Sequence, residues 1–263
     1  MRIIYSDRYG ERYPSNPVEH PRRVIQAAKE LAGYEFQEPS PASKADILRV
    51  HSPEHLERVA MRGMLPAASF AAGGAIAAAE LALDGVPAFA LIRPPGHHAS
   101  SSTSWGMCFL NNMAIAVKRI RERAGRILIL DIDLHFGDGT ANIFRWSEGV
   151  RVVNIGAIDA NFDYLSLDAQ GYIDQVERVL AQGGYDLLAV SAGFDTYVND
   201  WGGLLDIDDF CEIGGLVRDA AERFCRGRRF AVLEGGYHED LRLCVEAFVD
   251  GMSSSPPGSA GNP

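Results

Sequence analysis

Arg126-Ile127-Leu128-Ile129-Leu130-Asp131-Ile132-Asp133-Leu134-His135-Phe136-Gly137-Asp138-Gly139 changes character at its middle. The first part, through Leu130, is short, apolar, rich in β-branched residues and free of Gly and Pro, so it reads as a fully buried strand. Successive strand side chains alternate faces. Asp131, Asp133 and His135 therefore share a face if the strand geometry persists. Two carboxylates and an imidazole at the mouth of a buried strand need a compensating charge, and a divalent metal ion is the simplest candidate.

Outward from this run, strand-like and helix-like segments alternate. Strands are expected at 3–5, 88–92, 127–130, 150–155, 187–191 and 230–233, and helices at 21–31, 53–61, 67–83, 112–123, 167–182, 207–226 and 239–249. This alternation predicts an α/β fold in three layers, αβα, with helices on both faces of a mostly parallel sheet. At 263 residues, a single domain over 1–252 is expected. Residues 253–263, all Ser, Pro, Gly, Ala and Asn without an apolar anchor, are expected to be a disordered tail. The Ala- and Gly-rich run over 67–83 contains Glu80 and is short for a membrane span, so it reads as a buried helix.

A net charge of -10 argues against a general nucleic-acid binder. Cys108, Cys211, Cys225 and Cys244 are scattered and form no C-x-x-C pair. That pattern suits reduced thiols in a cytoplasmic protein better than a disulfide framework or zinc ribbon. The beginning Met1-Arg2-Ile3-Ile4-Tyr5 soon turns polar, unlike a signal peptide.

Polar clusters follow four of the expected strands: Arg93-Pro94-Pro95-Gly96-His97-His98, Asp131 to Asp138, Ala192-Gly193-Phe194-Asp195 and Glu234-Gly235-Gly236-Tyr237. Ligand sites in open α/β sheets lie beyond the carboxyl ends of the strands, so these clusters are expected to meet. Each alone has an ordinary structural explanation, such as Asp195 capping a helix. Their joint arrival at one sheet edge is the informative observation.

These blocks, with His20-Pro21-Arg22-Arg23 and Val50-His51-Ser52-Pro53-Glu54-His55, resemble the signature segments of the histone deacetylase superfamily, which also contains acetylpolyamine amidohydrolases. The resemblance runs in order from about Tyr5 to Met252. It implies an arginase-like fold, a catalytic divalent metal and hydrolysis of an acetylated amine.

The resemblance also implies roles. Asp133, His135 and Asp195 would bind the metal, zinc by default, with Fe(II) or Co(II) acceptable to so oxygen-rich a set. Three protein ligands leave a position for water and substrate. Asp138 would orient His98, the general base, and Asp131 would orient His97, chiefly an electrostatic group. Tyr237 would donate its hydroxyl to the developing oxyanion, with Gly235 and Gly236 letting the backbone turn. A potassium ion would sit alongside, held by Asp131, by carbonyls of Asp133 and His135, and by Asn154 and Ile155.

Departures from the family pattern concern the substrate. Phe136 replaces a common second histidine, with little effect on the chemistry expected. Gly106-Met107-Cys108 stands where Gly-Phe-Cys is usual, so Met107 is expected to line one wall of the acyl-amine tunnel. The 154–167 and 61–70 segments are short, which predicts a more open site. The expected partner is an acetylated small amine or an acetyl-lysine peptide or protein, with no membrane partner. A deacylase of longer acyl groups, an acetylpolyamine deacetylase and a non-catalytic acyl-ligand binder are the alternatives. His97, His98, Asp138 and Tyr237 together favour an enzyme. His20 and Arg22-Arg23 are read as structural at a helix start, His51 and His55 as part of a helix start capped by Ser52, His238 as unassigned and Cys108 as a packed thiol.

Overall fold

The computed structural model describes residues 1–161 and 163–253. Its strands are β1 (Arg2–Ile4), β2 (Glu35–Gln37), β3 (Ala88–Ala90), β4 (Ile127–Asp131), β5 (Val150–Asn154), β6 (Leu187–Ala192) and β7 (Arg229–Leu233). They form one seven-stranded sheet in the order β2-β1-β3-β7-β6-β4-β5. Every pairing between these strands is parallel. β3, β4, β6 and β7 are buried at every residue. Continuous apolar runs are what strands covered on both faces require.

Nine helices among the described residues cover the sheet: α1 (Arg22–Glu30), α2 (Lys44–Ile47), α3 (Pro53–Met61), α4 (Leu65–Leu83), α5 (Asn112–Ala124), α6 (Asp138–Phe144), α7 (Ala169–Ala181), α8 (Ile207–Cys225) and α9 (Leu241–Met252). On one side α4 packs with α5 and reaches β1, β3 and β7; on the other, α8 packs with α7 and α9 and reaches β6 and β7. The αβα layering is thus as expected, and the sheet is more uniform than the mostly parallel arrangement anticipated.

Three named elements escaped the sequence reading: α2, a single turn of four residues too short to show a period, and β2 and α6. β2 is an edge strand of three residues, two of them exposed, and carries no alternation to detect. α6 begins at Asp138 itself, inside the polar run. Ser253, expected to open a disordered tail, is instead buried, and its N–H bonds Val249 O at 2.9 Å. Residues 254–263 of that expectation lie outside the described residues.

α4 is the one described helix long and apolar enough to cross a membrane, and 56% of its most apolar window is buried within the protein. Its small residues allow close packing. A Cβ on Gly73 would lie 1.9 Å from Ser40 O, and one on Gly74 would lie 2.5 Å from the Tyr9 hydroxyl. Two glycines weaken a helix by about 1 kcal/mol each relative to alanine; here backbone proximity requires them.

At the start of α3, Ser52 Oγ accepts the His55 N–H, with Pro53 in the first turn. His51 and His55 stack at 4.9 Å. His51 Nε2 accepts the Asn111 N–H at 2.9 Å, its Nδ1 lies 3.0 Å from Ser100 O, and His55 Nε2 lies 2.8 Å from Phe109 O. The pair therefore ties α3 to the 99–111 segment. Burial, and then the neighbouring His55, push the His51 pKa down to about 4. Between pH 6.5 and 4 the unfolded chain binds a proton here that the folded chain refuses. Stability is therefore intact above pH 6.5 and falls as the pH drops, by up to about 1.4 kcal/mol per pH unit for this residue. Urea unfolding across this window should show that decline, with a shallower slope in His51→Gln; equal slopes in the two proteins would remove His51 as a source.

Candidate active site

The sheet order places β3, β7, β6 and β4 side by side, so the polar clusters at their carboxyl ends converge. Asp133 and His135 follow β4, and Asp195 follows β6. Their nearest ligand atoms all lie within 4.8 Å of one another. His135 Nδ1 is 3.2 Å from Asp133 Oδ1 and 3.0 Å from Asp195 Oδ2. Asp133 Oδ1 accepts the His135 N–H at 2.9 Å and its Oδ2 accepts the Gly235 N–H at 2.8 Å, while Asp195 Oδ1 accepts the Leu134 N–H at 3.0 Å. Asp195 Oδ2 is buried without a hydrogen bond.

Burial, and then the charge of Asp133, push Asp195 up to about 6. Two buried carboxylates around one imidazole, their ligand atoms within 4.8 Å of one another, fit a divalent cation. A second cluster, His97, Cys108 and Glu234, is also compact, but burial drives the Cys108 thiol far above its ordinary pKa. The Glu234 oxygens there are occupied by N–H groups of Gly96 and His97 and by the Ser191 hydroxyl. It is a packing cluster.

The tandem histidines each meet a carboxylate. His97 Nδ1 is 3.1 Å from Asp131 Oδ2, and its Nε2 is 3.8 Å from Asp133 Oδ1. Burial would lower the His97 pKa, but Asp133 and Asp131 together hold it well above its usual value. His98 Nδ1 is 2.7 Å from Asp138 Oδ1, and its Nε2 has no hydrogen-bond partner among the described residues. Burial first, and then His97, bring His98 down to about 4, so it is neutral near pH 7. Trp105 lies over the His98 ring, centroids 3.8 Å apart and planes tilted by 30°, and its Nε1–H donates to both Asp138 oxygens at 3.1 and 3.2 Å. Gly106 has φ +56 and lies so close that a Cβ would meet His98 Cδ2 at 2.5 Å. Met107 also adopts a positive φ of 64.

Tyr237 closes another side of the site. Its N–H and that of His238 donate to Asp200 Oδ2 at 2.5 and 2.8 Å. Gly236 has φ +109, as a turn there needs, but Gly235 serves a different purpose from the one expected. A Cβ on Gly235 would stand 2.5 Å from Asp133 Oδ2, and one on Gly193 would stand 2.0 Å from it. The two glycines are the slot that receives Asp133. Arg23, read only as a residue at a helix start, is buried and donates to Gly236 O and Glu234 O at 2.6 Å. Its guanidinium lies 4.7 Å from the Tyr237 ring centre. Glu19 joins Arg23 to Arg93, whose Nε and Nη2 both reach the Glu19 carboxylate at 2.8 Å.

Residues expected around a potassium ion lie at the ends of β4 and β5. Asp131 and Asn154 are register partners. Ile155 N–H donates to Asp131 O at 2.8 Å, and Gly137 N–H donates to Asn154 Oδ1 at 2.8 Å.

His97, His98, Asp133, His135, Asp195, Gly106, Met107 and Tyr237 line one cavity of about 660 Å³. Its walls include residues that the sequence reading missed: Pro14, Ser15 and Asn16, Arg62, Trp105, Phe109 and Trp201. Trp201 stacks on Tyr237 at 4.4 Å and meets the His135 ring edge-on at 5.9 Å.

The chain is similar to known deacetylases and amidohydrolases. A family model described as histone deacetylase domain matches residues 17–162. A probable deacetylase of Methanothermobacter thermautotrophicus is 33% identical, over 96% of this chain and 90% of its own length. A histone deacetylase-like amidohydrolase of Pseudomonas aeruginosa is 31% identical, over 81% of this chain and 69% of its own length. The crystal structure of acetylpolyamine aminohydrolase from Burkholderia pseudomallei superposes with a TM-score of 0.85 at 26% identity, covering 97% of this chain and 99% of that one.

Proposed function

This chain belongs to the histone deacetylase family of amidohydrolases, and we propose on that premise that residues 1–252 form one metal-dependent catalytic domain that removes an acetyl group from an acetylated amine. The convergence of Asp133, His135 and Asp195 beside two histidine–carboxylate pairs carries this reading. Asp133, His135 and Asp195 hold the divalent ion, zinc by default and Fe(II) or Co(II) on the same donors. When bound, the ion supplies Lewis acidity, polarising the substrate carbonyl and lowering the pKa of water.

The protein groups divide the remaining work. His98, neutral and with Nε2 unpaired, takes the proton from the attacking water and returns it to the leaving amine. Asp138 fixes its tautomer through Nδ1, and Trp105 fixes its ring plane. His97, held cationic by Asp131 and Asp133, stabilises negative charge on the reacting carbonyl. Tyr237, whose phenol burial keeps far above its ordinary pKa, stays protonated and donates to the oxyanion. Gly106 and Met107 line the acyl-amine channel. Potassium beside Asp131, with carbonyls of Asp133 and His135 and with Asn154 and Ile155, rests on the family resemblance alone.

The test is a hydrolysis screen of protein prepared without metal and then loaded with zinc, Fe(II) or Co(II). Acetyl-lysine peptides, acetylated polyamines and longer acyl-lysines are compared. Turnover of at least one acetylated amine, dependent on metal, is expected. Release of longer acyl groups in preference to acetyl would move the assignment to a general deacylase, and tight acyl-ligand binding without release would make the protein a binder.

A further inference from the structure

Arg62 closes the C-terminal end of α3 in the cavity wall, its guanidinium 4.8 Å above the Phe109 ring. The side chain is exposed, and among the described residues no carboxylate lies within ion-pair reach of it. The acidic residues lining the same cavity, Asp133 and Asp195, are buried beside His135. The lining histidines His97, His98 and His135 each face a carboxylate already. Away from the metal-ligand cluster, the lining therefore carries one unneutralised cation and no anion.

A second observation points the same way. Ser15 Oγ, also in this wall, is buried with no hydrogen-bond partner. Pro14, the residue before Ser15, lines a neighbouring groove together with Gly63, the residue after Arg62. A buried hydroxyl without a partner is a cost that a ligand oxygen would remove. A guanidinium fork and a hydroxyl donor in the wall of one cavity suit a carboxylate.

We propose that Arg62 and Ser15 form a subsite for a carboxylate at the far end of the acylated amine, so that acylated amino acids carrying a free distal carboxylate are preferred over acylated polyamines. A polyamine would bring its ammonium groups to a wall that holds Arg62 and offers them no anion. The inference rests on the reading of the cavity as an acyl-amine site, and it names the substrate class for that site.

The test uses three acetylated amines of equal chain length, ending in a carboxylate, a carboxamide or an ammonium group. kcat/KM should fall in that order, by about threefold to fivefold per step, the scale of one exposed ion pair. Arg62→Ala should level the series, Arg62→Glu should reverse it, and Ser15→Ala should weaken the acid alone. Raising the salt concentration should shrink the acid's advantage in the unaltered protein. Binding of the same compounds is followed in parallel by fluorescence of Trp105 and Trp201. Hydrolysis of all three with equal efficiency, or an order that Arg62→Glu leaves unmoved, would overturn the subsite and leave the deacetylase assignment standing. Binding in the stated order without any turnover would support the subsite and overturn that assignment.

Discussion

Asp133→Ala is expected to leave a folded protein that no longer retains a divalent ion and whose turnover falls by about a thousandfold or more, because the ion supplies several kcal/mol of charge stabilisation. The side chain has two structural duties as well, accepting N–H groups from His135 and Gly235 at 2.9 and 2.8 Å. Both donors border the cavity, where water can replace the lost carboxylate. Metal content by elemental analysis and turnover on the same preparation should fall together. Added zinc should raise the melting temperature of the unaltered protein, since an ion that binds the native state stabilises it, and should leave that of Asp133→Ala unchanged. Full activity in a metal-free Asp133→Ala protein would sink the proposed mechanism.

Tyr237→Phe should behave differently. The ring keeps its stack on Trp201 and its contact with Arg23, and the turn keeps its bonds to Asp200, since those are made by backbone N–H groups. Only the hydroxyl disappears. Metal content and melting temperature should stay as they were, while kcat drops by about a hundredfold to a thousandfold, the loss of one oxyanion donor. KM should change little, because the donor acts on charge that develops in the transition state. A variant with unaltered kcat would remove Tyr237 from the chemistry.

Much of this arrangement was legible in the chain because its central strands are covered on both faces. β4, β6 and β7 are built on apolar runs, 127–130, 187–190 and 230–233, and the polar chemistry begins at or just beyond the end of each. What was not legible depends on approach through space. Arg23 supports the Tyr237 turn through the carbonyls of Gly236 and Glu234, and carbonyls leave no mark in a sequence. Asp200, Trp105 and Trp201 lie in irregular segments, where neither period nor spacing announces a partner. Arg62 ends a helix and reads as an ordinary surface cation until the cavity beside it is seen. Gly235 looked like a hinge; its close contact with Asp133 shows that it is the absence of a side chain that matters.

The place of β7 in the sheet bears on how the molecule is assembled. It is the last of the described strands in sequence, yet it lies between β3 and β6. Until residues 229–233 arrive, β1–β3 and β4–β6 can be no more than two separate half-sheets, each with a bare edge of unpaired N–H and C=O groups. The strand that joins them also brings Glu234, Gly235 and Tyr237. Pairings this distant along the chain form slowly. During synthesis both of these edges are open from the time β6 is made, at Ala192, until β7 is complete at Leu233, and the metal ligands of one half meet the paired histidines of the other and Tyr237 only when β7 docks.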